Sequence, residues 1–189
     1  MRNILKNRTA LSTVVTTLII LVVSVLLAGV VTYFAINVTS TRVQEESLHL
    51  TKQHVWHNMT SAQGAVMIIN TGGRDVVLDK ITVRGQESLW TDIFYNITQG
   101  AFSEDLSFSS LIFDTANNNE TLTFGTGALS RDYLFMQATN DVVLPSGKTM
   151  LLYVNSPDSI SVNDVGLTVA FTIFSSQAMY YKETNVQAV

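Results

Sequence analysis

From Thr9 to Thr41 the sequence contains no charged side chain, and within that stretch Leu18 to Ala28 reads LIILVVSVLLA; past Gln63-Gly64 the pattern becomes short alternating runs broken by turn residues. At the standard rise, roughly 20 apolar residues cross the hydrocarbon core of a bilayer, so Leu11 to Ile36 is long enough to span. Its many Val, Thr and Ile residues cost little there, because in lipid the backbone must satisfy its own hydrogen bonds. The helical pattern runs on: Asn37 to His57 has no Pro or Gly, and Val43, Leu50 and His57 recur at every seventh position with Ser47 and His54 between them. That weak amphipathic stripe predicts one helix from Leu11 to about His57, roughly 70 Å long, with Trp56 docking its upper half against the head.

The alternating part predicts strands. Ala65 to Ile69 and Val76 to Val83 flank the turn Asn70-Thr71-Gly72-Gly73-Arg74-Asp75, which reads as a hairpin because the glycines reach positive φ cheaply. Val77, Asp79, Ile81 and Val83 share one face by period 2, with Asp79 the exception on an apolar side. Further strands are expected at 89–97, 106–113, 120–124, 133–138, 148–154, 166–174 and 177–184, with Leu167, Val169, Phe171 and Ile173 forming the clearest buried face. Turn-rich intervals such as Asn117-Asn118-Asn119, Pro145-Ser146-Gly147 and Ser156-Pro157-Asp158 separate them. The fold class is therefore α+β: a long N-terminal hydrophobic helix, then an antiparallel β-sandwich or barrel.

Charge sets the orientation. Arg2, Lys6 and Arg8 precede the apolar run, while the other 8 basic residues face all 15 acidic ones beyond it, a balance of −7 that argues against nucleic acid as a partner. The positive-inside rule puts Met1 to Arg8 in the cytoplasm and everything past Asn37 outside, with Tyr33 and Phe34 at an interface belt. The absence of cysteine removes disulfides, thiolate catalysis and Cys-based zinc sites.

No catalytic constellation stands out. His49, His54 and His57 are the only histidines, so a Ser-His-Asp set in the rest of the chain lacks its base. His54 and His57 are spaced as a metal-binding pair on a helix, but no carboxylate at helical spacing completes a ligand set. Glu104-Asp105, and Asp158 with Asn163-Asp164, lack the ligand spacing and central glycine of a calcium loop. No metal, cofactor or enzymatic activity is expected. Asn-x-Ser/Thr triplets occur at Asn37, Asn58, Asn96 and Asn119, plus Asn7; with the topology above, Asn58, Asn96 and Asn119 are the expected glycan acceptors, with Asn37 a fourth candidate placed either at the membrane surface or inside a fibre.

Three uses of the apolar segment compete: a cleaved secretory signal, a permanent single-span anchor, and a stem that polymerises. The first is the weakest, because the run exceeds the 7 to 15 residues of a typical signal core. The basic leader, the Ala10-Leu11-Ser12-Thr13-Val14-Val15 run after it and the unbroken helix together resemble the class III signal peptide of archaeal type IV pilins and archaellins. The run VMIINTGGRDVVLDKITVRG is similar to the first hairpin of their heads, and LPSGKTMLLYVNSPDSISVNDVGLTVAFTIFSSQAMYYKE to their closing strands.

That resemblance implies a leader of residues 1–10, a stem over 11–60 and an extracellular head over 61–189. It implies a prepilin peptidase cutting between Ala10 and Leu11 on the cytoplasmic side. The chain departs from the pattern at Thr9, where Lys or Arg is usual, and lacks the glutamate many pilins carry near the fifth mature position. Cleavage after Arg8 or Thr9, and no cleavage, thus stay open. Val14, Leu18, Leu21, Val25 and Tyr33 would pack stem against stem. The implied partners are further copies of the chain, the peptidase, the membrane assembly machinery and, before assembly, the bilayer. The implied function is a cell-surface filament for adhesion, attachment or motility; the alternative is an extracellular binding module tethered by one uncut span.

Overall fold

A computed structural model of the chain describes residues 8–43, 45–100, 102–110 and 119–189. Two compact units follow one another, Met1–Val43 and Gln44–Val189. The first is one 36-residue helix, α1 (Arg8–Val43). Among its described residues the second carries eleven strands: β1 (Leu48–His57), β2 (Ala62–Asn70), β3 (Val76–Val83), β4 (Gln86–Glu87), β5 (Ile93–Thr98), β6 (Asn119–Phe124), β7 (Arg131–Gln137), β8 (Val142–Leu144), β9 (Thr149–Asn155), β10 (Thr168–Ser175) and β11 (Met179–Ala188). Most of the expected leader, residues 1–7, lies outside the described residues.

Four hydroxyls of α1 turn back onto their own helix. The hydroxyls of Thr16, Thr17, Ser24 and Thr41 donate back to the carbonyls of Ser12, Val14, Ile20 and Asn37 on their own helix, which satisfies them without water. The helix then stops at Val43, well short of the expected His57. Leu48–His57 is a strand instead, so the histidines and Trp56 belong to the sheet, not to an extended stem. The heptad stripe misled because Leu48 and Leu50 also alternate as a strand does, and the phase then shifts at a bulge between Thr51 and His54, where Lys52 takes φ 52°.

The strands form one sheet in the order β4-β3-β10-β11-β1-β2-β9-β5-β7-β6, with β8 beside β4 on the outer edge of β3. Every pairing is antiparallel except that of β1 with β11, which is parallel and covers only Val55↔Val186 to His57↔Ala188. At that narrow junction the sheet folds over. Val55, Val66, Ile68 and Leu152 from one half meet Ile81, Val83, Phe171 and Ile173 from the other in a single buried cluster. A second cluster covers the opposite face of β2, β9 and β5: Trp56, Met67, Phe94, Phe135 and Tyr153 under Phe102 and Leu106 of a long loop. β2 and β9 are thereby buried on both faces, which is why they read as almost continuous apolar runs.

Two expectations about the head change. β2 and β3 are strands at nearly the expected bounds, but they do not form a hairpin: β2 pairs with β1 and β9, and β3 with β10, β4 and β8. The Asn70 to Asp75 turn is a crossover between the two halves, pinned by the buried Asn70 side chain, whose amide donates to the carbonyls of Arg74 and Leu144 while its oxygen accepts from the Gly72 N–H. Asp79 escapes the buried face because it is the extra residue of a bulge: Phe174 faces Lys80 and Ser175 faces Leu78, so the inward set is Val76 and Leu78, then Ile81 and Val83.

The described part of the expected strand at 106–113 is an ordered loop, and residues 111–113 lie outside the described residues. Its backbone is satisfied by side chains: Gln63 both donates to the Ser109 carbonyl and accepts from the Ser109 N–H, and the Tyr153 hydroxyl donates to the Ser107 carbonyl at 2.9 Å. Burial pushes the Tyr153 hydroxyl's pKa far up. Leu167, expected on the buried face of β10, sits outside that strand and is exposed, while Val169, Phe171 and Ile173 are buried.

Asp164 fastens the turn after β3 to the loop before β10. It accepts from the N–H and hydroxyl of Ser161 at 2.8 Å and from Arg84 at 2.7 Å, bonds that hold its carboxyl below the ordinary carboxylate range. A depressed folded-state pKa gives stability that is complete above the unfolded value, about pH 4, and is lost as pH falls through the lower folded value. The urea midpoint is therefore expected to drop on acidification below about pH 4, and Asp164→Asn to flatten that drop. An identical acid profile for the variant and the parent counts against this role.

Candidate functional site

The most distinctive surface of the chain is α1 itself. Its Leu11–Thr41 stretch, 31 residues, is long and apolar enough to cross a membrane, and none of it is buried within the chain. Val14, Leu18, Leu21, Val25 and Tyr33 are all more than half exposed. At about 100° per residue the first four fall within roughly 60° of arc, whereas Tyr33 sits about a quarter turn away. The helix geometry therefore groups four of the five expected packing residues and leaves Tyr33 apart. Gly29 has no atom within 4 Å of where a side chain would begin, so a neighbouring helix has room to approach its backbone. The Ala10–Leu11 bond lies inside the helical backbone of α1.

Just past the helix the chain is gripped. The Ser47 carbonyl accepts from the N–H groups of Thr71 (2.9 Å) and Gly72 (3.1 Å), and the Glu45 carbonyl from Gly73 (3.3 Å). The Glu46 carboxylate accepts from the hydroxyls of Ser175 and Tyr180. Burial, then the Glu46 charge, raises the pKa of Tyr180. Local sequence marks Thr71-Gly72-Gly73 as special but suggests the wrong task for it, a hairpin turn. The signal that would have found the right one is steric: a Cβ on Gly72 would lie 2.6 Å from the Glu45 oxygen and 2.7 Å from the Ser47 nitrogen.

No protein-family model matches this sequence, and no curated protein matches it. What the residues can do must be read from their geometry.

The four Asn-x-Ser/Thr asparagines differ sharply in availability. Asn119 is exposed at the start of β6. Asn58 takes four hydrogen bonds on its side-chain oxygen, from the N–H and hydroxyl of both Thr60 and Ser61, which leaves the amide nitrogen uncommitted among the described residues. Asn96 is the opposite case: its amide nitrogen donates to the Leu134 carbonyl at 2.7 Å from the middle of β5. Asn37 sits within α1, where its carbonyl accepts from Thr41.

The histidines do not gather. Among the described residues no three His, Asp or Glu side chains come together as a metal set. His54 pairs with Asp105 at 3.0 Å and stacks flat on Trp56, 5.1 Å between ring centres. Lys52 on the same bulge donates to the carbonyls of Phe102 and Glu104. Together they fix the loop that roofs the second cluster. A crevice of about 170 Å³ beside that loop, lined by Phe102, Glu104, Phe124, Arg131 and Tyr133, is smaller than a usual small-molecule pocket.

Two measurements check these placements. Gly72→Ala is expected to destabilise the strand-bearing unit by about 1–3 kcal/mol in urea unfolding, since backbone atoms must move to admit the methyl group; an unchanged midpoint would mean the close approach is not maintained. Peptide mapping by mass spectrometry is expected to find sugar on Asn58 and Asn119 ahead of Asn96. Occupancy at Asn96 equal to that at Asn119 would show that modification precedes the pairing of β5.

Proposed function

We propose that this chain is the structural subunit of a cell-surface filament resembling archaeal type IV pili and archaella, assembled through α1 and displaying its β-rich unit outside the cell for adhesion, attachment or motility. One observation carries the reading: a 31-residue helical stretch without a charged side chain, long and apolar enough to cross a membrane and none of it buried within the chain, followed in sequence by a compact β unit. Such a surface has to be covered by something other than this chain. In the bilayer, lipid does so; in a fibre, the same helices of neighbouring subunits do.

The basic leader before α1 supports a cytoplasmic start, with prepilin peptidase and the assembly machinery as partners before polymerisation. Four of the expected contact residues, Val14, Leu18, Leu21 and Val25, then form one stripe for the neighbour, and Gly29 permits close approach. Sugar on Asn58 and Asn119 would sit on the outward unit. The second reading, a binding module held by one uncut span, is favoured by the same even apolarity, since lipid on all sides asks for no stripe at all.

Filaments sheared from cells decide between them. The fibre reading expects this chain in the filament fraction with Leu11, or a near neighbour, as its first residue. Leu21→Arg puts a charge mid-helix at a cost of about 2.5–3.5 kcal/mol and is expected to abolish recovery in that fraction. Intact chain beginning at Met1, found only as membrane-resident monomer, would refute the fibre reading and support the tether.

A further inference from the structure

Any use of α1 as an anchor or fibre element sends force into the strand-bearing unit through residues 45–47, and the topology there is not neutral with respect to direction. β1 begins at the end of the sheet where residues 45–47 are held by Thr71, Gly72 and Gly73, and runs to the far end. It is bonded antiparallel to β2 from Leu48↔Asn70 to Thr51↔Met67 and again, past the bulge, from His54↔Ala65 to His57↔Ala62. Its other edge lies parallel to β11, which finishes beside His57. That second contact is reinforced: Val189 N–H donates to the His57 carbonyl at 3.1 Å, the Thr184 hydroxyl to the Gln53 carbonyl at 3.1 Å, and the Gln53 amide to the Glu183 carbonyl at 3.2 Å.

Tension on the start of β1, balanced by a hold on the end of β11 at Val189, acts along the strand axis in opposite directions on these two parallel neighbours. The evenly spaced, slanted hydrogen bonds of that parallel contact are then loaded together, and none ruptures alone. A pull that separates β1 and β2 from the same end would instead open the pairs one at a time. The far end is also where exposed apolar residues gather, Met59, Val162, Val165, Leu167 and Val189. A hold there loads the sheet in its strong direction.

We propose that the β unit is a tension coupling: β1, clamped at its start by Thr71-Gly72-Gly73, Ser175 and Tyr180 and flanked by β2 and β11, transmits axial force from α1 across the head without unfolding. The coupling works the same way whether α1 sits in a fibre or in a bilayer, so it stands or falls separately from the filament reading.

The chain has no cysteine, so handles can be placed at will on the full-length protein in detergent micelles. Thr41→Cys with Val189→Cys applies axial load. Thr41→Cys with Arg74→Cys pulls β1 off β2 from the end where Leu48 meets Asn70. In optical tweezers at one loading rate, the axial pair is expected to unfold at several-fold higher force than the peeling pair, although both variants share the same urea midpoint. Thr41→Cys with Val165→Cys gives a second axial attachment should Val189→Cys disturb β11. Equal forces in the axial and peeling geometries, or a weaker axial response at both far-end attachments, overturn the proposal.

Discussion

The pairing of Leu48–His57 on both of its edges is the interaction on which the rest of the head depends. β1 is the strand that joins the two halves of the sheet, with β2 on one side and β11 on the other. Without it no strand pairing joins the half carrying β3, β10 and β11 to the half carrying β2, β9 and β5, and the cluster between them, from Val55 to Phe171, loses a wall. The same residues carry a helical stripe, so two structures compete for them. The strand wins because it engages two existing partners and buries Val55 and Trp56 on opposite faces, whereas a helix here would bury one weak stripe and leave the edges of β2 and β11 open. Local pattern is a weak preference, and tertiary burial of this extent overrides it.

α1 obeys a different constraint. Apolar surface left in water costs roughly 25 cal/mol per Å², so 31 residues exposed on every side cannot be the resting state of this helix in water. In a bilayer that cost vanishes, and association of helices no longer gains from water exclusion; it depends on close packing and small residues instead. This is why Gly29 and the stripe of Val14, Leu18, Leu21 and Val25 matter more to the proposed assembly than overall greasiness does. It also explains why the hydroxyls of Thr16, Thr17, Ser24 and Thr41 fold back on the helix.

The sequence made legible what depends on short-range periodicity. The span from Leu11 is plain, β3 has the expected bounds, and β6, β7, β9 and β10 lie within two residues of expectation at their starts. What it concealed depends on partners distant in the chain. The Asn70-Thr71-Gly72-Gly73 turn has the composition of a hairpin, and nothing local says that β2 and β3 belong to opposite halves. Asp79 looked like a flaw in alternation and is a bulge residue, visible only once β10 is laid beside β3. Leu106 alternates like a strand residue, yet the loop around it takes its hydrogen bonds from Gln63 and Tyr153 side chains. The acceptor asparagines were indistinguishable as triplets; Asn96 parts from Asn58 and Asn119 only through its bond to Leu134.

A head without cysteine must close its chain by other means. In many extracellular domains a disulfide between distant segments removes loop entropy from the unfolded state, by about 3–5 kcal/mol for long loops. Here the parallel contact of Val55–His57 with Val186–Ala188 joins segments from opposite ends of the strand-bearing unit, and the Gln53, Thr184 and Val189 bonds extend it. The contact is non-covalent, so it gives no entropic advantage in the unfolded chain, and its enthalpy must come from bonds formed only on folding. It does supply what a staple would supply in the native state: β11 cannot leave without exposing the edge of β1, and β1 cannot leave without releasing β2. Closure by strand pairing therefore makes the strand-bearing unit cooperative from its first strand to its last, with β1 at its centre.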